Sequence, residues 1–316
     1  MPAVTIILNM ASGRGHAKRH QAEVSRACVD ARIDHEILFT DGPGHAEQLA
    51  HEAALAGSPI VMAAGGDGTV NEVANGLLTQ DNRNVMLGIL PLGSGNDIAH
   101  NIGAPTGLPE VMALAASRIA CPCDVGEVEV RTRTGTLHRY FLNNAGLGFE
   151  AQVNICSKHI RRLRKLPLYL LATLRALSQH HPVPMTLAWD TDIDSSQTWQ
   201  GDVTMVSVAN GARTGGGFRI LPQALLNDQW LDLGIVPAIS TLRILHLLTQ
   251  VMRGTHRHAP ELTFARFRSM RVQAEAPFPL HVDGEVLTQE AEQVTVALAT
   301  QTLSVLAPHD NDEVRR

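Results

Sequence analysis

Three glycine-rich turns carry the residues of this chain best suited to chemistry, and phosphate binding is the chemistry they suit. The fullest reads Ala64-Gly65-Gly66-Asp67-Gly68-Thr69-Val70-Asn71-Glu72-Val73. It follows an apolar run and opens a segment of helical pattern. Glycine there lets the backbone approach a phosphate with no Cβ in the way. The helix N-terminus then offers unpaired N–H groups and partial positive charge. Thr69 and Glu72 also have the spacing of a capping box, so local structure accounts for them as well as a ligand does. Asp67 is different, because a carboxylate beside a phosphate is repulsive unless it holds a metal, a donor or a proton. The second turn, Pro91-Leu92-Gly93-Ser94-Gly95-Asn96-Asp97, has the same context, and the pair points to a nucleotide. The third, Asn9-Met10-Ala11-Ser12-Gly13-Arg14-Gly15, offers hydroxyl, backbone and guanidinium groups. None of the three is a Walker loop or a dinucleotide fingerprint.

Turns of this kind need strands to place them. Apolar runs over 4–8, 36–39, 60–64 and 85–90 alternate with helical patterns over 17–29, 45–56, 69–78 and 108–116, and a further helix starts near Asn96. Such alternation predicts a parallel sheet covered by helices, with ligands beyond the carboxyl ends of the strands. The pattern changes near 121–124. Beyond it, runs over 124–130, 137–143, 185–189, 203–209, 231–236, 270–274 and 294–299 read as strands, with one helix over 241–252. The expected architecture is α/β, with an N-terminal three-layer α/β nucleotide-binding domain over 1–123 and a C-terminal β-rich, sandwich-like domain over 124–299. The segment over 300–316 is expected to pack back on the first.

The residues quoted, taken in order, resemble the diacylglycerol kinase catalytic family, which includes bacterial lipid kinases and sphingosine kinases. Further matches are Asn144-Ala145-Gly146-Leu147-Gly148-Phe149-Glu150-Ala151, Ala209-Asn210-Gly211 with Gly215-Gly216-Gly217-Phe218, and Asp283-Gly284-Glu285. The resemblance implies an ATP-dependent kinase that phosphorylates a lipid hydroxyl. It places ATP against Asn9, Ser12, Gly13, Arg14, Thr40, Ala64, Gly65, Gly66, Asp67, Gly68, Thr69, Val70, Glu72, Gly93, Ser94, Asn96 and Asp97. It places Mg²⁺ on the Asp228 carboxylate and the carbonyls of Leu225 and Trp230, hard oxygen ligands of the kind that ion takes. The catalytic base falls in the Asp283-Gly284-Glu285 turn, at either carboxylate, with Asp67 near the reacting phosphates. Taken alone, Asp-Gly is a hairpin signal. The chain departs from the family at Asn9-Met10, Ser94-Gly95 and Asp228-Gln229, where Asn-Pro, Thr-Ala and Asp-Gly are usual.

A net charge of −5 over 316 residues argues against nucleic acid as a partner. The absence of a long apolar run and of a signal-like start predicts a cytoplasmic protein. The four cysteines are expected to be reduced thiols, and the pairs His16/His20 and His256/His258 surface histidines. Charge is uneven: no Asp or Glu occurs over 151–189, a stretch that carries Lys158, Arg161, Arg162, Arg164, Lys165 and Arg175. Mixed with leucines, this segment reads either as a solvated basic helix followed by a core helix or as a peripheral contact with the inner face of a membrane, where each cation near an anionic surface adds on the order of 1 kcal/mol. Pro167 is expected to break any continuous helix there. A homodimer is compatible with the sequence. The rivals are an NAD kinase, for which the Gly-Ser-Thr-Ala segment is missing, and a non-catalytic lipid-binding protein on the same scaffold, against which all the carboxylates are retained.

Overall fold

A computed structural model describes residues 2–12, 17–79, 85–160, 165–192 and 195–308. The elements follow as β1 (Val4–Asn9), α1 (Ala17–Asp30), β2 (His35–Thr40), α2 (His45–Leu55), β3 (Ile60–Gly65), α3 (Asp67–Leu78), β4 (Met86–Pro91), α4 (Asp97–Ile102), α5 (Leu108–Ser117) and β5 (Ala120–Cys123). Then come β6 (Gly126–Thr132), β7 (Gly135–Phe141), β8 (Asn144–Gly148), α6 (Phe149–Lys158), α7 (Lys165–Leu177), β9 (Val183–Asp192) and β10 (Ser195–Ala209). The chain closes with β11 (Leu231–Pro237), α8 (Thr241–Arg253), a 3₁₀ turn (His256–His258), β12 (Thr263–Phe267), β13 (Ser269–Val282), β14 (Glu285–Leu298) and β15 (Leu303–Leu306). Two compact units result. One holds Met1–Asp124 and the segment from Thr300 on; the other is Val125–Ala299.

The first unit is an α/β layer structure. Its sheet has the order β2-β1-β3-β4-β15-β5. The strands β1 to β4 are parallel; β1, β3 and β4 are near-continuous apolar runs buried on both faces, as inner parallel strands require, while the edge strand β2 is only partly buried. The chain passes from β1 outward to β2 and then back to β3 on the other side, so β1 and β3 flank a topological switch point. The loops after them, and after β2 and β4, leave the same sheet edge. The returning β15 pairs parallel with β4 at Val305–Leu87 and antiparallel with β5. The Cys121-Pro122-Cys123 stretch, where the sequence pattern changes, is this edge strand, a place where proline costs little.

The second unit has one nine-stranded sheet, β12-β11-β10-β8-β13-β14-β6-β7, with β9 filling the gap between β10 and β13 beyond the end of β8. Every strand contributes to a single core that includes Phe141, Trp189, Phe267, Met270, Phe278 and Leu280. One sheet can share one core only by folding over itself. The register shifts in β10 at Val203/Met205 and in β13 between Gln273 and Leu280 supply the bends. Pro277 and Pro279 lie in the latter, and they hide from the sequence pattern how far β13 and β14 run. On one side α6, α7 and α8 meet over Phe149, Ala172, Ala176 and Ile244.

The segment 156–179 holds no continuous helix, as expected, since α6 ends at Lys158 and α7 starts at Lys165; Pro167 is the third residue of α7 and does not interrupt it. One expectation is corrected. His256 is 2% exposed rather than superficial, its Nε2 lying 2.7 Å from the Ile220 carbonyl oxygen.

Candidate functional site

In the first unit, the three turns are tied together before any ligand is considered. Asn9, at the end of β1, donates from Nδ2 to Thr69 Oγ1 at 2.8 Å, and its own Oδ1 accepts the Ala11 N–H at 2.8 Å. Ser12 Oγ donates to the Asn9 carbonyl at 2.6 Å. The amides of Leu92 and Gly93 both donate to the Gly65 carbonyl, at 2.8 and 3.1 Å. Asp67 Oδ1 accepts the Ile98 N–H at 3.0 Å, so this carboxylate caps α4 across the loops. Asn96, with a left-handed φ of 55°, donates to the carbonyls of Pro91 and Gly93.

The glycines serve this packing. A Cβ on Gly65 would lie 2.3 Å from Thr69 Oγ1, and one on Gly93 would lie 2.5 Å from the Gly66 Cα. The two loops therefore touch backbone to backbone, and neither Gly65 nor Gly66 has a positive φ. What remains for a ligand is the first turn of α3. Its helix starts at Asp67 with Gly66 as N-cap and no side-chain cap, so the first amides lack intrahelical acceptors. Ser94 is exposed, and Thr40 ends β2 opposite Asn9.

The expected capping box does not form. Thr69 takes its bond from Asn9, and Glu72 Oε2 instead accepts the Ala46 N–H at 3.1 Å, capping α2. Val70 offers a ligand nothing, since its side chain is buried and its amide is bonded to the Gly66 carbonyl. Ala64 is buried between β1 and β4. Asp97 is buried in the first turn of α4. Gly13 and Arg14 lie outside the described residues.

In the second unit, the β13–β14 hairpin carries the Asp283-Gly284-Glu285 turn. Asp283 (φ 47°) and Gly284 (φ 83°) are both left-handed, as a two-residue type I′ turn demands. The two carboxylates have different surroundings. Asp283 is buried; its Oδ1 accepts the amides of Asn143 and Asn144 and its Oδ2 that of Leu142, each at 2.9 Å. Glu285 is exposed, and Oε2 stands 2.6 Å from Lys158 Nζ. Lys158, counted from sequence among the membrane cations, is thus already paired. Behind the turn, His281 and Glu150 are buried side by side, a pairing the sequence did not show. The one available signal was a histidine two residues before Asp-Gly on a strand of inward-facing alternation.

The loop before β11 holds the residues expected to bind Mg²⁺. Gln229 adopts φ 61°, the left-handed conformation for which the family uses glycine, so the loop shape survives the substitution. Asp228 Oδ1 accepts the Trp230 N–H at 3.1 Å, and Oδ2 lies 3.2 Å from Arg266 Nη1. That contact is an ion pair without hydrogen-bond alignment, and Oδ2 has no hydrogen-bond donor among the described residues. Arg266 also reaches Asp232 Oδ1 from Nε at 3.4 Å. Burial raises the Asp232 carboxyl above its ordinary range in spite of that guanidinium. Arg268 stacks over Trp230 at 4.7 Å. The loop fits a cation, but the cation beside Asp228 is Arg266. With the guanidinium there the Asp228 carboxylate is already matched by a positive charge, and the residues do not fit a resident divalent ion.

Comparison with known proteins matches the chain to two families, the second of which runs on through β15. Residues 3–128 match the family described as the diacylglycerol kinase catalytic domain, and residues 143–307 that described as the YegS C-terminal NAD kinase beta sandwich-like domain. A protein of Bacillus subtilis named diacylglycerol kinase is 30% identical over 288 residues, 90% of each chain. One of Escherichia fergusonii named probable lipid kinase YegS is 31% identical over 295 residues, 91% of each. Among solved structures, a diacylglycerol kinase from Bacillus anthracis superposes with a TM-score of 0.75 at 22% identity, covering 97% of both chains. A yeast NADH kinase, at 0.56 and 10% identity, shares the fold more distantly. On the strength of the close relatives, which it matches along nine-tenths of its length, the chain belongs to the diacylglycerol kinase catalytic-domain family.

Proposed function

We propose that the protein is an ATP-dependent lipid kinase that transfers the γ-phosphoryl group to a hydroxyl of a membrane lipid. The first unit would hold the nucleotide. The amides that open α3, with the remaining Nδ2 hydrogen of Asn9 and the exposed Ser94 hydroxyl, offer donors of the kind phosphate oxygens take. Asp67 would act through structure, fixing α4 and the second loop. ATP would enter as its magnesium complex, the ion neutralising phosphate charge.

The observation that carries the reading is the contrast between the carboxylates of the Asp283-Gly284-Glu285 turn. Asp283 spends both oxygens on three backbone amides, which leaves the exposed Glu285 as the base. Glu285 would take the proton of the acceptor hydroxyl; that oxygen bonds to the γ-phosphorus as the bond to the bridging oxygen of ADP breaks. A base acting this way contributes roughly 10²–10⁴-fold in rate. Lys158 would orient the Glu285 carboxylate before the acceptor arrives. Diacylglycerol, phosphatidylglycerol, ceramide and a sphingoid base all present a suitable hydroxyl.

An acceptor in a bilayer requires contact with its surface. Leu171 and Leu174 lie exposed on one face of α7, and Arg175 follows them. We place the peripheral contact there, at the inner face of the membrane, together with the basic residues 161–165, whose side chains lie outside the described residues. No described helix is long and apolar enough to cross a membrane.

The test is incubation of the purified protein with γ-labelled ATP, Mg²⁺ and a panel of these lipids in mixed micelles. The expected result is label in one lipid, with Glu285→Gln lowering kcat by about 10²–10⁴-fold and leaving the melting temperature unchanged. Transfer to NAD in place of lipid would overturn the reading in favour of the NAD kinase branch of the fold. Nucleotide binding with no transfer to any acceptor would overturn it in favour of a binding protein.

A further inference from the structure

The turn that carries Glu285 has a second support in a place no motif marks. Asp283 and Gly284 are both left-handed, as an Asp-Gly type I′ turn requires, and the direction in which the turn points depends on what holds it. The three amides on the Asp283 carboxylate are one restraint. The other is the Gly284 amide, which donates to His281 Nδ1 at 3.3 Å. A ring nitrogen that accepts an N–H carries no proton, which leaves Nε2 as the place for the ring hydrogen. That Nε2 stands 3.3 Å from Glu150 Oε1, a contact without hydrogen-bond alignment, and Nε2 makes no hydrogen bond among the described residues. Glu150, in the first turn of α6, also accepts from Asn144 Nδ2 at 2.9 Å, and Asn144 Oδ1 in turn accepts from Thr214 Oγ1 at 3.1 Å.

The pair is built in at a cost. His281 is 1% exposed and Glu150 8%. Strand β8 passes so close that a Cβ on Gly146 would lie 2.2 Å from His281 Nε2 and 2.6 Å from the Glu150 carboxyl carbon. Glycine in Asn-Ala-Gly-Leu-Gly is therefore required by the pair rather than by any backbone angle, since Gly146 has no positive φ. Apolar residues of equal volume would hold a core together at least as well as a buried polar pair. Stability alone thus gives no reason for these types here. An acceptor at the position of Nδ1 holds the Gly284 amide, and a carboxylate beside Nε2 favours the ring hydrogen on that nitrogen.

We propose that Glu150 and His281 form a buried dyad that orients the Asp283-Gly284-Glu285 turn, making them positioning residues for the Glu285 carboxylate. This rests on the reading of Glu285 as the base. Glu150 orients the imidazole, the imidazole holds the Gly284 amide, and the turn holds Glu285 in one direction. Neither residue touches the reacting atoms.

The test combines NMR of protein labelled with ¹⁵N in histidine and glycine with steady-state kinetics, on the full chain and on Glu150→Gln, His281→Leu and His281→Asn. The wild type is expected to show the Nε2–H tautomer at His281 and a protected Gly284 amide. Glu150→Gln and His281→Leu should exchange that amide roughly tenfold faster or more. The same variants should lower kcat by up to about a hundredfold, the size of effect a small misplacement produces, with KM for ATP unchanged. Asparagine at 281 can still accept the Gly284 amide, and His281→Asn should restore protection and part of kcat. An Nδ1–H tautomer, or Gly284 exchange unaltered in Glu150→Gln and His281→Leu, would overturn the dyad. So would a fall in KM and kcat alike with no change at Gly284. If His281→Leu does not fold, the wild-type tautomer and Glu150→Gln decide. If the wild type phosphorylates no lipid, the reading of Glu285 fails while the tautomer and the amide still judge the dyad.

Discussion

Gly66 and Gly93 show how much of a ligand site is settled by atoms that never meet the ligand. Their backbones touch, so the loops after β3 and β4 keep a fixed spacing. Gly93→Ala would drive a Cβ to 2.5 Å from the Gly66 Cα and 2.7 Å from Asn96 Oδ1. Backbone cannot yield as a side chain can, and a cost of roughly 1–3 kcal/mol is expected. Urea unfolding checks the stability, and nucleotide titration should show weaker binding in the same variant. The sequence made these glycines conspicuous without saying what they are for. A glycine that admits a phosphate and one that admits another glycine look alike along a chain, since the partner is distant in sequence. The same holds for Thr69 and Glu72. Their spacing fits a capping box, but Asn9 and the start of α2 compete for those side chains and win. The carboxylates of the hairpin turn could be found from sequence, though not told apart, because the amides that occupy Asp283 come from residues 142–144.

At the scale of elements, the β11–β12 ladder departs furthest from the family's expectation. Strand pairing sets Asp232 opposite Arg266, and the loop before β11 turns Asp228 toward the same guanidinium. An arginine held by its own strand cannot be removed by a chelator. The unfolding midpoint is therefore expected to be the same in EDTA as in millimolar Mg²⁺, and a midpoint that falls in EDTA and recovers with the ion would show a resident metal. Burial raises the Asp232 carboxyl, and the sign of its effect on stability follows. Below the ordinary carboxylate range both folded and unfolded chains keep the proton. As pH rises, the unfolded chain loses it first, so the stability due to Asp232 is present in acid and disappears through the window up to the raised folded value. Asp232→Asn does not titrate there. Its stability relative to wild type should rise from acid to neutral pH, as urea unfolding at a series of pH values would show. None of this was legible from residues 225–230 alone, because the deciding residue lies on the next strand. The alternation of apolar residues did give most of the strands; it failed at β13 and β14, where prolines and bulges interrupt the period.

For the molecule as a whole, the first unit is not made from the first part of the chain alone. Strand β15 lies between β4 and β5, and Leu303, Val305, Leu306 and Ala307 are buried in it. Ending the chain at Ala299 would strip both neighbours of their partner and expose apolar strand edges. Such a truncation is expected to leave the 1–124 region readily cut by protease while the 125–299 region resists, with aggregation following from the bare edges. Soluble, equally protected protein would show that β15 is dispensable. Synthesis on the ribosome runs from the N-terminus, so the strands that shape the glycine-rich loops emerge early and wait. Their sheet keeps a gap beside β4 until some two hundred further residues have been translated, a span in which the second unit can complete itself. The first unit is thus the last part of the protein to become whole, and a nascent chain that stalls short of residue 303 carries its glycine-rich turns on a sheet whose place beside β4 is still empty.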